Sequence, residues 1–348
     1  METSLMSACR IPALGPFVLI LAAFQTTGCA TVQRNPQVSQ EDPTNKALAQ
    51  LAEQATPGIL GAAVLDLQTG ALSSVNGNTP LPLQSVFKLP LGIYVMHLAE
   101  TGEISLEENI TLSQSELSIF YSPITEAFDR RQSYTIRELV AAVVSDSDNT
   151  AADWLLERTG GPKALSKFFQ ARGLRQFRVD RYERELQPES VGLPASAGRM
   201  TDSDAYRRYR ASIPIVARTA GMQHYLADPR DRMSAVDAVR LLAMLNAGQL
   251  LNRAHTVEMM GILVGTPSGP NRLKAGVPTD VLVYHKTGSS ADVGALNGAT
   301  NDIGIIALPD GRRFAVSAFL SGSSRPLEER ERLIAGVGAA AVQMGPRR

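Results

Sequence analysis

The feature that most constrains this chain is where its strand-like segments fall. Residues 59–66 and 71–75, split by Gln68-Thr69-Gly70, read as an antiparallel hairpin. Three further strand-like segments, 281–285, 302–308 and 313–320, come only near the other end, the last two joined by the turn Pro309-Asp310-Gly311. Most of what lies between carries helical periodicity, so both ends must share one sheet with a helical part inserted. The boundaries predicted are 45–79 and 265–348 for the α/β domain and 80–264 for the helical domain.

The helical signals are specific. Residues 46–54 form a helix stopped by Pro57-Gly58, and the apolar run 89–98 reads as a buried helix. Thr135 followed by Glu138 is a capping box that opens a helix over 134–144. Helices are also expected over 150–158, 162–171, 233–246 and 327–344. The exception is 181–232, rich in Arg, Pro, Ser and Gly, where one short helix over 201–209 is expected in an otherwise irregular run. A run that long in a compact domain points to a functional loop.

Lys plus Arg and Asp plus Glu number 34 each, so no electrostatic bias favours nucleic acid or an anionic membrane as main partner. The N-terminus has an export pattern: Arg10, an apolar stretch over 11–24 too short to span a bilayer, then Thr26-Thr27-Gly28-Cys29-Ala30. Residues 1–29 are therefore expected to be a bacterial signal peptide. Gly28-Cys29 resembles a lipoprotein box, with Cys29 lipidated as the mature N-terminus, residues 30–44 as tether, and a periplasmic, membrane-anchored location. Thr26 stands where leucine is usual, so cleavage as an ordinary export signal remains the alternative. Cys9 and Cys29 are the only cysteines, which leaves the mature domain without a disulfide, a cysteine nucleophile or a thiolate metal site. His97, His224, His255 and His285 show no metal-ligand spacing, and no cofactor is expected.

Ser85-Val86-Phe87-Lys88 precedes the apolar helix. Residues three apart share a helix face, which puts a hydroxyl beside an amine at the positive end of the helix dipole. Alone, the pattern is common and reads equally as an N-cap followed by a solvated lysine. It does not stand alone: Ser147-Asp148-Asn149 ends one helix, and Lys286-Thr287-Gly288 lies at the end of a strand. These three elements in this order are the signature of class A β-lactamases and penicillin-binding proteins. Tyr121-Ser122-Pro123-Ile124-Thr125-Glu126 resembles the family's pocket-edge loop, and Asp180 through Gln187 resembles the start of its omega loop. Over residues 45–345 the chain resembles a class A serine β-lactamase, with most similarity to the PER-type extended-spectrum branch.

That resemblance implies a five-stranded antiparallel sheet flanked by helices, with an inserted helical domain, acting as a monomer on a small β-lactam. Ser85 would attack the strained amide, and the backbone N–H groups of Ser85 and Ser289 would hold the oxyanion. Ser147 would pass a proton to the leaving nitrogen, supported by Lys88 and Lys286. Asn149 would orient the side-chain amide, with Tyr121 and Gly288 at the pocket. Lys286, Thr287 and Ser289 would bind the substrate carboxylate, helped by Arg272, since Ile303 stands where relatives often carry an arginine. Glu183 would activate the hydrolytic water, a contribution of about 10²–10⁴ in rate. A neutral Lys88 would need its pKa to fall about three units, near 4 kcal/mol, which an ionised Glu183 opposes. The base for acylation therefore stays open.

Three departures stand out. Gln187 replaces an asparagine that helps hold the water, Asp153 replaces an asparagine that braces the omega loop, and that loop, 181–232, is enlarged before Asp231, the expected partner of Arg181. The enlargement could be a lid, a wider pocket, a partner site through Arg207, Arg208 and Arg210, or a solvated insertion. Two rival functions share the motifs: a D,D-peptidase that acylates without fast turnover, and a non-catalytic cell-wall-binding lipoprotein.

Overall fold

The structure is a computed structural model that describes residues 43–344; the expected signal peptide, Cys29 and residues 30–42 of the expected tether lie outside the described residues. Helix α1 (Pro43–Gln54) begins two residues inside the expected tether. Strands β1 (Ile59–Asp66) and β2 (Leu72–Val75) follow as a hairpin, then the short β3 (Leu81–Pro82). Helix α2 (Lys88–Glu100) is buried on almost every face, as an apolar run without amphipathic contrast requires.

Beyond α2 lie β4 (Asn109–Thr111), α3 (Pro123–Ala127), β5 (Ser133–Thr135), α4 (Ile136–Ala141), α5 (Asn149–Arg158) and α6 (Gly161–Gln170). The capping box of α4 is present, with Thr135 and Glu138 each accepting the other's backbone N–H. The expected irregular segment then holds α7 (Glu183–Glu189), α8 (Ser203–Ser212) and α9 (Ile215–Ala227). After β6 (Arg232–Met233) come α10 (Ala235–Asn246) and α11 (Arg253–Val264). The chain closes with β7 (Leu282–Ser289), the two-residue β8 (Asp292–Val293) and β9 (Leu296–Asn297), β10 (Thr300–Ala307), β11 (Arg313–Ser321) and α12 (Leu327–Val342).

The main sheet has five strands in the order β2-β1-β11-β10-β7, all antiparallel, so the chain's two ends do share it. Alternate residues face opposite sides of a strand. Leu60, Ala62, Val64, Phe314, Val316 and Leu320 pack with Leu48 of α1 and Ile334 and Val337 of α12 on one side. Ala63, Ile303, Ile305, Ala315 and Phe319 pack on the other, with Val239 and Leu242 of α10 and the α2 core beyond. Strand β7 runs on to Ser289, four residues beyond the expected 285, so Lys286-Thr287-Gly288 lies at the end of the strand as expected and is paired there opposite Ile303, Asp302 and Asn301.

The segment 181–232 departs most from expectation, since its three helices carry an apolar cluster of their own. Val191, Leu193, Tyr206, Met222 and Val293 form that cluster, against which Phe120, Leu226 and Leu296 pack. Pro188 inside α7, together with Gly192, Pro194 and Gly198, breaks the sequence periodicity and masks these helices. The loop closes as expected on Arg181, whose Nε donates to Asp231 Oδ2; both side chains are buried.

Gly192 shows how tightly this unit packs. Its φ is +76°, and a Cβ there would lie 1.9 Å from Arg218 O of α9. Gly192→Ala is expected to lower the unfolding free energy by about 2 kcal/mol in urea titrations. Gly173→Ala, at φ +93° with nothing within 4 Å of its Cβ, is expected to cost less; equal losses would mean that backbone strain alone, not packing, fixes Gly192.

Candidate active site

A 3₁₀ turn, Gln84–Phe87, feeds directly into α2 and carries Ser85 at the helix's positive end. Lys88 is the first residue of α2 and is fully buried. Its Nζ donates to Ser147 O at 2.7 Å and to Asn149 Oδ1, and lies 2.9 Å from Glu183 Oε1. The solvated-lysine reading of Lys88 is thereby excluded.

Ser147 follows a single π turn, Ala142–Asp146, that interrupts the end of α4, and it sits in the left-handed region at φ +61°. A non-glycine residue held there is a mark of a functional turn. Asp148 caps α5 by accepting from Ala151 N at 2.8 Å. Its other oxygen accepts from Ser122 Oγ and Ile124 N, both at 2.8 Å, and so ties down the pocket-edge loop. Asn149 N–H donates to Tyr121 O at 3.3 Å.

Lys286 reaches across from β7 and donates to Ser147 Oγ and Thr287 O, each at 3.0 Å. Burial, then the nearby Lys88 charge, lower its pKa to about 7. Gly288 lets β7 pass close to the turn that carries Ser85: a Cβ there would lie 2.6 Å from Leu83 O. Arg272 is buried behind the strand, where Nη2 donates to Ser289 Oγ at 2.7 Å, Nη1 to Asn301 O at 2.8 Å and Nε to Glu331 Oε1 at 3.2 Å.

Glu183, the first residue of α7, is fully buried. Gln187, one turn on, donates from Nε2 to Glu183 Oε2 at 2.7 Å, so its longer side chain folds back onto the carboxylate. Oε1 faces the Lys88 ammonium without accepting an aligned hydrogen bond from a protein group. Asp153 does brace this loop, by accepting from Glu183 N at 2.6 Å and Arg184 N at 3.1 Å.

Ser85, Tyr121, Ser147, Asn149, Gln187, Thr287, Gly288 and Ser289 line one cleft of about 320 Å³, joined by Phe120. Lys88, Glu183 and Lys286 form its buried floor through the contacts above. Phe120 has no motif signal; it is set by an edge-on contact with Tyr206 of α8, at 5.1 Å between ring centroids. His285 is buried with Nδ1 2.9 Å from both oxygens of Asp302 on β10, and Asp302 faces Thr287 across the strand pair. Sequence alone does not reveal that pair, because its members are 17 residues apart. Among the described residues no cluster of His, Cys, Asp and Glu could hold a metal ion.

A serine in the turn that enters a buried helix, two buried lysines and a buried carboxylate, set between a five-stranded sheet and a helical lobe, fit a serine hydrolase of the acyl-enzyme type. The model of the beta-lactamase enzyme family matches residues 43–344, and the chain belongs to that family. It is 29% identical to the extended-spectrum beta-lactamase PER-1 of Pseudomonas aeruginosa over 271 residues, 77% of each chain. Beta-lactamase VEB-1 of the same organism is 27% identical over 279 residues, 80% of this chain and 82% of that one. Among solved structures, an ancestral class A beta-lactamase superposes with a TM-score of 0.70 at 32% identity, covering 86% of this chain and 99% of the other. A beta-lactamase from Chitinophaga pinensis DSM 2588 gives 0.70 at 30%, covering 85% and 97%. The protein is a class A serine β-lactamase.

Burial, then the Glu183 charge, raise the Asp153 pKa to about 7. An unfolded aspartate titrates near 3.9, so between about pH 4 and 7 the folded chain holds more protons and stability falls as pH rises. Asp153→Asn removes the titrating group, and thermal midpoints at pH 5 and pH 8 should lie closer together than in the parent. An unchanged gap would assign the pH dependence to other groups.

Proposed function

We propose that the protein hydrolyses β-lactams by acylation of Ser85 and clears the ester with a water activated by Glu183, giving antibiotic resistance. The observation that carries this reading is the buried Glu183 carboxylate, 2.9 Å from Lys88 Nζ on the floor of the cleft that Ser85 lines. Gln187 occupies Oε2, which leaves Oε1 to take the proton of an attacking water. A D,D-peptidase needs no such carboxylate, and the match of 43–344 to a beta-lactamase family argues against a silent cell-wall binder.

In acylation, Ser85 Oγ attacks the lactam carbonyl carbon while its proton passes into the Lys88–Glu183 pair. The Ser85 and Ser289 N–H groups hold the oxyanion; losing one such donor typically costs about 10²–10³ in rate. Ring opening breaks the C–N bond, and the nitrogen takes a proton from Ser147 Oγ, which Lys286 Nζ supports at 3.0 Å; the proton that Ser85 gave to the Lys88–Glu183 pair then passes to Ser147, so the pair is free again for deacylation. Asn149 and Tyr121 orient the acyl side chain. Lys286, Thr287 and Ser289 bind the substrate carboxylate, and Arg272 polarises Ser289 from behind at 2.7 Å. In deacylation, Glu183 takes a proton from water, whose oxygen attacks the ester carbonyl; the bond from that carbon to Ser85 Oγ breaks, and the proton returns through the Lys88–Glu183 pair to Ser85 Oγ.

The Gly28-Cys29 pattern supports export to the periplasm and a tether through a lipidated Cys29. Likeness to PER-1, described as extended-spectrum, supports cephalosporins as well as penicillins among the substrates.

Nitrocefin turnover followed by intact-protein mass spectrometry tests the chemistry. Glu183→Ala should accumulate the acyl-enzyme, with turnover reduced about 10²–10⁴-fold, and Ser85→Ala should take no label. Turnover by Glu183→Ala at the parent rate would remove Glu183 from deacylation. A stable adduct on the parent chain with no hydrolysis would move the protein to the D,D-peptidase class.

A further inference from the structure

The enlarged loop reaches the nucleophile from behind. Gln84, immediately before Ser85, is held at φ +46°, in the left-handed region that costs a non-glycine residue about 1–3 kcal/mol unless its surroundings enforce it. Two contacts enforce it. From the sheet, Asn301 Nδ2 of β10 donates to Pro82 O at 2.8 Å and Leu83 O at 3.1 Å. From the insertion, Tyr225 of α9 meets the fully buried Gln84 side chain, with Nε2 2.7 Å from the phenol oxygen. Rotating the amide by 180° lets the phenol donate to Oε1 instead, so either setting leaves one hydrogen bond between the two.

Tyr225 is itself fixed. It is 4% exposed, the Arg181 guanidinium lies 5.6 Å from its ring centroid, and its Cε1 would be 3.3 Å from a Cβ at Gly298. Burial pushes the phenol well above its ordinary pKa, so it keeps its proton at all working pH values. Gln84 Oε1 has no hydrogen-bond partner among the described residues, which makes Tyr225 the one side chain among them that bonds this buried amide.

We propose that Tyr225 is a positioning residue for acylation: its phenol anchors the Gln84 side chain, Gln84 holds the left-handed turn, and the turn aims Ser85 Oγ. Helix α9 is then a brace for the nucleophile, and the inserted segment is part of the catalytic support. The inference rests on the reading of Ser85 as nucleophile. It assigns Tyr225 to one half-reaction only, because Glu183 is held by different contacts: Gln187 and Lys88 at its carboxylate and Asp153, which accepts from its backbone N–H.

Tyr225→Phe keeps the ring in place and removes the hydroxyl. With nitrocefin, kcat/KM, which reports acylation, should fall about 10-fold, while hydrolysis of the acyl-enzyme after a single turnover keeps the parent rate. Gln84→Ala should produce the same split, and Gln84→Ala/Tyr225→Phe should be no slower than Gln84→Ala alone. If Tyr225→Phe acylates at the parent rate, slows both half-reactions equally, or multiplies with Gln84→Ala, the proposal is wrong. Should Tyr225→Phe not fold, Gln84→Met removes the same hydrogen bond from the other partner and is judged by the same split. A parent chain that takes no label at all would instead overturn the nucleophile assignment.

Discussion

Two ammonium groups without solvent contact share one site, and the rest of the structure follows from accommodating them. Lys88 and Lys286 are both fully buried. An isolated buried charge is so costly that it must be paired, hydrogen-bonded or neutralised. Lys88 takes the first route, with Glu183 and two oxygen acceptors around it. Lys286 takes another, since its lowered pKa lets it shed its charge near neutrality while it keeps contact with Ser147. Satisfying both requires α2, the left-handed turn at Ser147, the start of α7 and strand β7 to converge within hydrogen-bonding distance. The helical lobe and the sheet therefore meet at this site as well as through the core that α2 and α10 form on the sheet.

Convergence on that point explains the unusual backbone around it. Ser147 at φ +61° and Gln84 at φ +46° are strained positions beside reactive groups. Each is held by contacts that cross between elements, from Lys286 in one case and from Tyr225 and Asn301 in the other. The carboxylate floor is likewise cross-braced: Asp153 of α5 receives the first N–H groups of α7, so the helix that carries Glu183 starts where its chemistry is needed. An aspartate in that role is cut off from water and also feels the neighbouring Glu183 charge, which is why its carboxyl titrates high.

Much of this was legible in the sequence. The apolar strand-like runs bounded by turn residues located the sheet, because a strand with both faces packed reads as a near-continuous apolar run. The capping box at Thr135 placed α4, and the three short motifs with Glu183 named most of the cleft, because the acyl-enzyme chemistry that the resemblance implies demands particular side chains. Less legible was the segment 181–232. Its helices are interrupted by Pro188, Gly192, Pro194 and Gly198, and those residues serve tight packing between α7 and α9 as readily as they serve loops.

The sequence by itself determined the chemical inventory, the strand and helix content at both ends of the chain, and the pairing of Arg181 with Asp231. Tertiary structure alone decided that Gln187 turns back onto Glu183, that Arg272 stands behind Ser289, that His285 finds Asp302 on the next strand, and that Tyr225 reaches Gln84 across 141 residues of chain. The physical reason is that periodicity reports which face of an element is buried, whereas the partner that buries it is set by how elements pack. The polar contacts that tune this site lie between elements, and a one-dimensional pattern carries no distance across them.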